Sequence, residues 1–123
     1  MDITHPHDSF IRFVLSKEKR TIDLFRYHIP QNVAQHLLFD TLTAEMDTFV
    51  DSHLKHHYSD ALFQLQTHSG TPAYIYFLLD HKSSPDPEIS LQLQRYMNRI
   101  WIRFATNHPG QNLPPIIGIV RYN

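Results

Sequence analysis

The segment Ala73–Leu79 reads Ala-Tyr-Ile-Tyr-Phe-Leu-Leu, without a charge or a break in its apolar character. A strand of that kind has to be covered on both faces. Just before it, Ser59–Gln66 sets Ala61, Phe63 and Leu65 against Asp60, Leu62, Gln64 and Gln66, the period of two of a strand. Between them lies Thr67-His68-Ser69-Gly70-Thr71-Pro72, which is turn chemistry. A hairpin with a doubly covered second strand obliges the rest of the chain to supply helices for both faces of a sheet.

The flanking sequence offers those helices. Asp8 can cap a helix that carries Phe10, Phe13, Val14, Leu24 and Phe25, bent or split at Lys17–Arg20 and ending before Pro30. Gln31–Phe39 reads as a further short helix and Leu42–Val50 as a weak strand. After the hairpin, Asp86 and Pro87 form a helix start, followed by an apolar stripe of Ile89, Leu93, Met97, Ile100 and Phe104 with Trp101 beside it. Asn107-His108-Pro109-Gly110 stops that helix, and Ile116–Val120 reads as a buried strand. The expected class is α/β, a mixed sheet flanked by helices in the order α-β-β-β-α-β.

Composition narrows the function. The 123 residues suit one domain, which typically has ~100–150 residues, so 1–123 is expected to be a single unit. No cysteine is present, which removes disulfides, thiolate metal sites and cysteine nucleophiles. Eleven basic and twelve acidic residues give a net charge of −1, so a nucleic-acid surface must be local. The apolar runs Tyr74–Leu79 and Ile116–Val120 fall far short of the ~20 residues of a membrane span, and the N-terminus lacks the pattern of a signal peptide. A cytoplasmic protein without membrane contact is the expectation.

Charged groups cluster at the open end of the hairpin. A turn centred near Ser69–Gly70 places Asp60 opposite Asp80 on one face, with side chains ~5 Å apart. Lys82 lies two residues on and shares that face if the strand continues. Two facing carboxylates call for a counter-ion, and a sparse oxygen ligand set suits Mg²⁺. Hydrated Mg²⁺ beside a lysine can activate water and stabilise a phosphate transition state. From the residues alone, a chance meeting of acids and lysine at a solvated strand end stays open.

Asp60 followed by Asp80-His81-Lys82 across a hairpin resembles the signature of the PD-(D/E)xK nuclease superfamily, whose core has the same element order. More closely, the chain resembles the recombination-promoting nucleases, or YhgA-like transposases. The matching stretches are His7-Asp8-Ser9-Phe10, Ser59-Asp60-Ala61-Leu62, Tyr76–Ser84, Arg95-Tyr96-Met97 and Leu113–Ile117. Many members carry Glu and Gln in the last two motif positions, whereas Asp80 and Lys82 match the wider superfamily. The resemblance implies a restriction-endonuclease-like fold and a metal-dependent DNA endonuclease linked to recombination. Asp60, Asp80 and the backbone carbonyl of His81 would bind Mg²⁺ (or Mn²⁺), and Lys82 would serve the attacking water. Gln92 and Tyr96 resemble the Q-x-x-x-Y element of RecB-like nucleases, with ordinary helix packing as the alternative. Full-length relatives continue past the last core strand. The rival expectation is therefore a catalytically silent core that binds or regulates a longer relative.

Weaker signals concern DNA and self-association. Arg95, Arg99 and Arg103 recur every four residues and could follow a phosphate backbone, though a solvated face is the plainer reading. Lys55, beside His56-His57, could approach DNA, or simply lie in a polar loop. The ten histidines show no zincin spacing, and there is no glycine-rich phosphate loop. An exposed sheet edge would favour a homo-oligomer, most simply a dimer.

Overall fold

The computed structural model describes residues 18–81 and 86–122. Helix α1 (Glu18–His28) and the single-turn helix α2 (Gln31–Ala34) precede strands β1 (Leu37–Glu45), β2 (Tyr58–Thr67) and β3 (Pro72–Asp80). Helix α3 (Ile89–Asn107) then leads to β4 (Ile116–Tyr122). The sheet order is β1-β2-β3-β4, antiparallel except for the parallel β3–β4 pair. This is the α-β-β-β-α-β mixed sheet expected for a restriction-endonuclease-like core. The proposed helix start at Asp8, together with His7, lies outside the described residues, as does Lys82.

Strand alternation sorts the hairpin into two faces. Odd positions Phe63, Leu65, Ala73, Ile75 and Phe77 pack with Phe25 and Ile29, anchored by an edge-to-face contact of Phe25 on Phe63 at 5.1 Å. Even positions Tyr58, Leu62, Tyr74, Tyr76 and Leu78 pack under Ile89, Tyr96, Ile100 and Phe104 of α3. Coverage on both sides is what the composition of Ala73–Leu79 required. β4 differs from its expected burial: as an edge strand with one neighbour it is only half covered. Among the described residues no helix is long and apolar enough to cross a membrane.

Three local expectations are corrected. The helix expected over Gln31–Phe39 ends at Ala34, because Leu37 and Phe39 gain burial against the α1 core as the start of β1. The strand expected over Leu42–Val50 is displaced toward the N-terminus for the same reason. A bulge lies between Leu38 and Thr43, where the Thr41 hydroxyl donates to the Leu38 carbonyl (2.6 Å) and accepts from the Gln66 amide (2.8 Å). The regular part of α3 begins at Ile89, although Asp86 still shapes its approach by accepting the Glu88 amide (2.9 Å) on its side chain.

A fourth correction is the hairpin register. Thr67 and Thr71 close the turn through an N–H···O bond of 2.9 Å, with Gly70 in the left-handed region (φ 85°). Pairing therefore centres on Ser69, and Asp60 lies across from Leu78 while Asp80 lies across from Tyr58. A shift of two residues leaves facing unchanged, so both carboxylates share the α3 side, but as diagonal neighbours ~7–8 Å apart at Cα.

The α3 side is packed tightly where β4 meets the helix. A Cβ on Gly118 would come within 3.0 Å of Leu93 Cδ2 and 3.1 Å of Met97 Sδ. Gly118→Val is expected to destabilise the protein by about 1–3 kcal/mol through overpacking, read by urea denaturation. Unchanged stability would mean that α3 can draw back from β4 at no cost.

Candidate functional site

The segment 46–51, between β1 and the short 3-10 turn Ser52–Leu54, passes over Asp60 as a strap. Asp60 is 7% exposed. Its Oδ2 accepts hydrogen bonds from the backbone amides of Phe49 (2.7 Å) and Val50 (3.2 Å) and from the Tyr76 hydroxyl (2.7 Å). Its Oδ1 accepts one from the Thr48 hydroxyl. A carboxylate offers about four acceptor sites, two on each oxygen. Oδ2 is therefore saturated and immobilised, while Oδ1 keeps one acceptor direction open. Burial drives the Tyr76 hydroxyl pKa far up, with the Asp60 charge adding to the effect, so Tyr76 remains a donor.

Asp80 ends β3 with no solvent exposure. A buried carboxylate has to be paired, protonated or metal-bound. Its cross-strand neighbour Tyr58 donates instead to Asp86, which ties the start of β2 to the approach of α3. The His81 ring lies 2.6 Å from the Ser59 hydroxyl through Nε2, and its amide donates to the His57 carbonyl (2.8 Å). On α3, Tyr96 is fully buried and lies edge-on to Tyr76 at 6.4 Å. Its hydroxyl faces Asp51 Oδ2 at 3.4 Å. One turn earlier, Gln92 Oε1 is buried and has no hydrogen-bond partner among the described residues.

These groups fit a small, hard cation better than a zinc ion. Among the described residues no three His, Asp or Glu side chains converge on one point. The candidate ligand atoms are oxygens: Asp60 Oδ1, the buried Asp80 carboxylate and Gln92 Oε1, which has no hydrogen-bond partner among the described residues. A sparse oxygen set of this kind suits Mg²⁺, which retains several of its waters.

The arginine row is engaged within the molecule. Arg99 Nη2 meets Asp51 Oδ1 at 2.7 Å, and Arg95 Nη1 meets Asp51 Oδ2 at 3.3 Å. Arg103 pairs with Asp47 and lies over the Phe49 ring. Burial works to raise the Asp51 pKa, but bonding to Arg99 and Arg95 outweighs it and holds the carboxyl below its ordinary range. The Asp51 pairs thus contribute at neutral pH and fail as pH falls through that lowered value. Lys55 is half-buried just after the 3-10 turn, beside the close His56–His57 ring pair.

Asp51, Thr48 and Tyr76 were not legible as site residues. Two of the Asp60 donors are backbone amides, which carry no side-chain signature. Tyr76 alone left a trace, as a hydroxyl with the same strand parity as Asp60 and Asp80 in an otherwise apolar run.

Comparison with known proteins places this arrangement in a family. Residues 5–123 match the family model described as "Putative transposase, YhgA-like". The recombination-promoting nuclease RpnA of Escherichia coli is 31% identical over 96% of this chain and 40% of its own length. RpnD, also from Escherichia coli, is 28% identical over 96% of this chain and 45% of its own length. The "putative inactive recombination-promoting nuclease-like protein YjiP" is 31% identical over 74% of this chain and 87% of its own length. The chain thus spans less than half of RpnA and RpnD. No solved structure matches it. With the nuclease-like element order, the acidic pair on one face of its hairpin and a family match over nearly its whole length, the chain belongs to the YhgA-like transposase family that includes the recombination-promoting nucleases.

Proposed function

We propose that this protein is a Mg²⁺-dependent DNA endonuclease that hydrolyses phosphodiesters at the acidic end of the β2–β3 hairpin. The observation that carries this reading is the placement of Asp60 and Asp80 on the same, α3-covered face. Relatives named recombination-promoting nucleases support DNA as the substrate and recombination as the setting. Asp60 Oδ1, Asp80 and the His81 carbonyl are the groups that would hold the cation. A divalent cation at such a site supplies charge against the phosphate and lowers the pKa of water. The strap and Tyr76 orient Asp60, Tyr96 braces Tyr76, and Lys82 would orient or deprotonate the attacking water.

A catalytically silent binding module is the second reading. YjiP and RpnE, both named inactive, each align with 74% of this chain and favour it. Plasmid nicking separates the two. The endonuclease reading expects supercoiled DNA to be cut with Mg²⁺ and spared with EDTA, whereas an intact plasmid under both conditions supports the silent module.

Two variants test the site itself. In Asp80→Asn a neutral amide of the same shape replaces one of the two acids. Mg²⁺ at a hundredfold excess over its Kd should stabilise the wild type by ~2.7 kcal/mol and the variant by little of that. Equal Mg²⁺-induced shifts in melting would place the ion elsewhere. Lys82→Ala should abolish cleavage while calorimetry still records Mg²⁺ binding, and a collapse of Mg²⁺ affinity would instead assign Lys82 to building the site.

A further inference from the structure

We infer that Arg99 is a positioning residue for Asp60, acting through the strap, and not a contact to the DNA backbone. The inference rests on the reading of Asp60 as part of the cation site. Arg99 grips the strap at two points: Nη2 meets Asp51 Oδ1 at 2.7 Å and Nη1 donates to the Phe49 carbonyl at 2.9 Å. That carbonyl belongs to the same peptide unit as the Val50 N–H, which donates to Asp60 Oδ2. Because a trans peptide is planar, its C=O and N–H point in opposite directions, so fixing the oxygen aims the amide. A charged donor on the oxygen also polarises the unit and strengthens its N–H as a donor.

The guanidinium has a second line to the same carboxylate. It lies 5.4 Å from the Tyr96 ring centroid, and Tyr96 in turn borders Tyr76, whose hydroxyl donates to Asp60 Oδ2. Arg99 thus supports two of the donors to Asp60 Oδ2, the Val50 amide through the Phe49 carbonyl and the Tyr76 hydroxyl through Tyr96. Two of the five N–H donors of Arg99 go to the strap, and its side chain is 42% exposed against 16% for Asp51, so losing Asp51 would free a further donor for a phosphate. The two roles make opposite demands on Asp51. A phosphate contact is freed by losing Asp51, whereas a positioning residue is weakened by it.

Arg99→Lys and Asp51→Asn test this. Lysine keeps the charge but cannot make the two-point grip. Asp51→Asn loosens the same grip from the other partner, and so carries the test if Arg99→Lys does not fold. The expected result is that both variants shift the Phe49 and Val50 amide proton signals and weaken Mg²⁺ binding by calorimetry, by about ten- to a hundredfold as for other supports of metal ligands. Cleavage should need correspondingly more Mg²⁺, with the salt dependence of DNA binding unchanged. Mg²⁺ affinity retained in both variants overturns the inference. So does tighter DNA binding by Asp51→Asn, which would make Arg99 a phosphate contact. A wild type that binds no Mg²⁺ while the amide signals still move overturns the cation-site reading, and Arg99's role toward the cation falls with it.

Discussion

A carboxylate removed from water needs its charge met by protein dipoles, and Asp60 recruits them from two places in the chain. The strap supplies two backbone amides and a threonine hydroxyl, and β3 supplies the Tyr76 hydroxyl. Satisfying this one group determines the path of the segment between β1 and β2. It also determines what α3 must do, because a strap without regular structure stays in place only if something holds its outer side. Asp47 and Asp51 provide the handles and Arg95, Arg99 and Arg103 the grip. Isolated surface ion pairs contribute little. Here they matter because they close a circuit that begins at a buried acid.

The two faces of the sheet divide the work. The α1 face is mainly apolar, built from Phe25, Phe63, Leu65, Ile75 and Phe77. The α3 face mixes leucine and isoleucine with Tyr58, Tyr74, Tyr76 and Tyr96. Tyrosine suits that face because its ring contributes apolar burial while its hydroxyl reaches a polar partner. Tyr76 reaches Asp60, Tyr58 reaches Asp86 and Tyr96 reaches Asp51, so the layer that buries α3 also wires the polar site. Burial raises the pKa of each of these hydroxyls and keeps them donors across the range in which the carboxylates are charged.

Local signals were strong where period and turn chemistry agreed. The unbroken apolar run of Ala73–Leu79, the alternation of Ser59–Gln66 and the stop at Asn107–Gly110 all correspond to observed elements. Gln31–Phe39 and Leu42–Val50 were misread because their helix or strand character depends on which residues find cover. Leu37 and Phe39 find it against Phe25, and that pulls the strand forward. Propensity gives way to burial at such boundaries.

The amino-acid sequence by itself determined the class of fold, the hairpin and the shared facing of Asp60 and Asp80, because parity along a strand survives an error of two in register. It also carried the family resemblance, since the acidic motif and its flanking residues lie in contiguous stretches. Tertiary structure alone decided the true register, which depends on the closure of the Thr67–Thr71 turn. It alone decided that the arginine row holds a strap, because the partners Asp47 and Asp51 lie more than forty residues away in sequence. The donors to Asp60 were hidden for a related reason. Backbone amides are common to nearly every residue, and only folding selects which of them meet a buried charge.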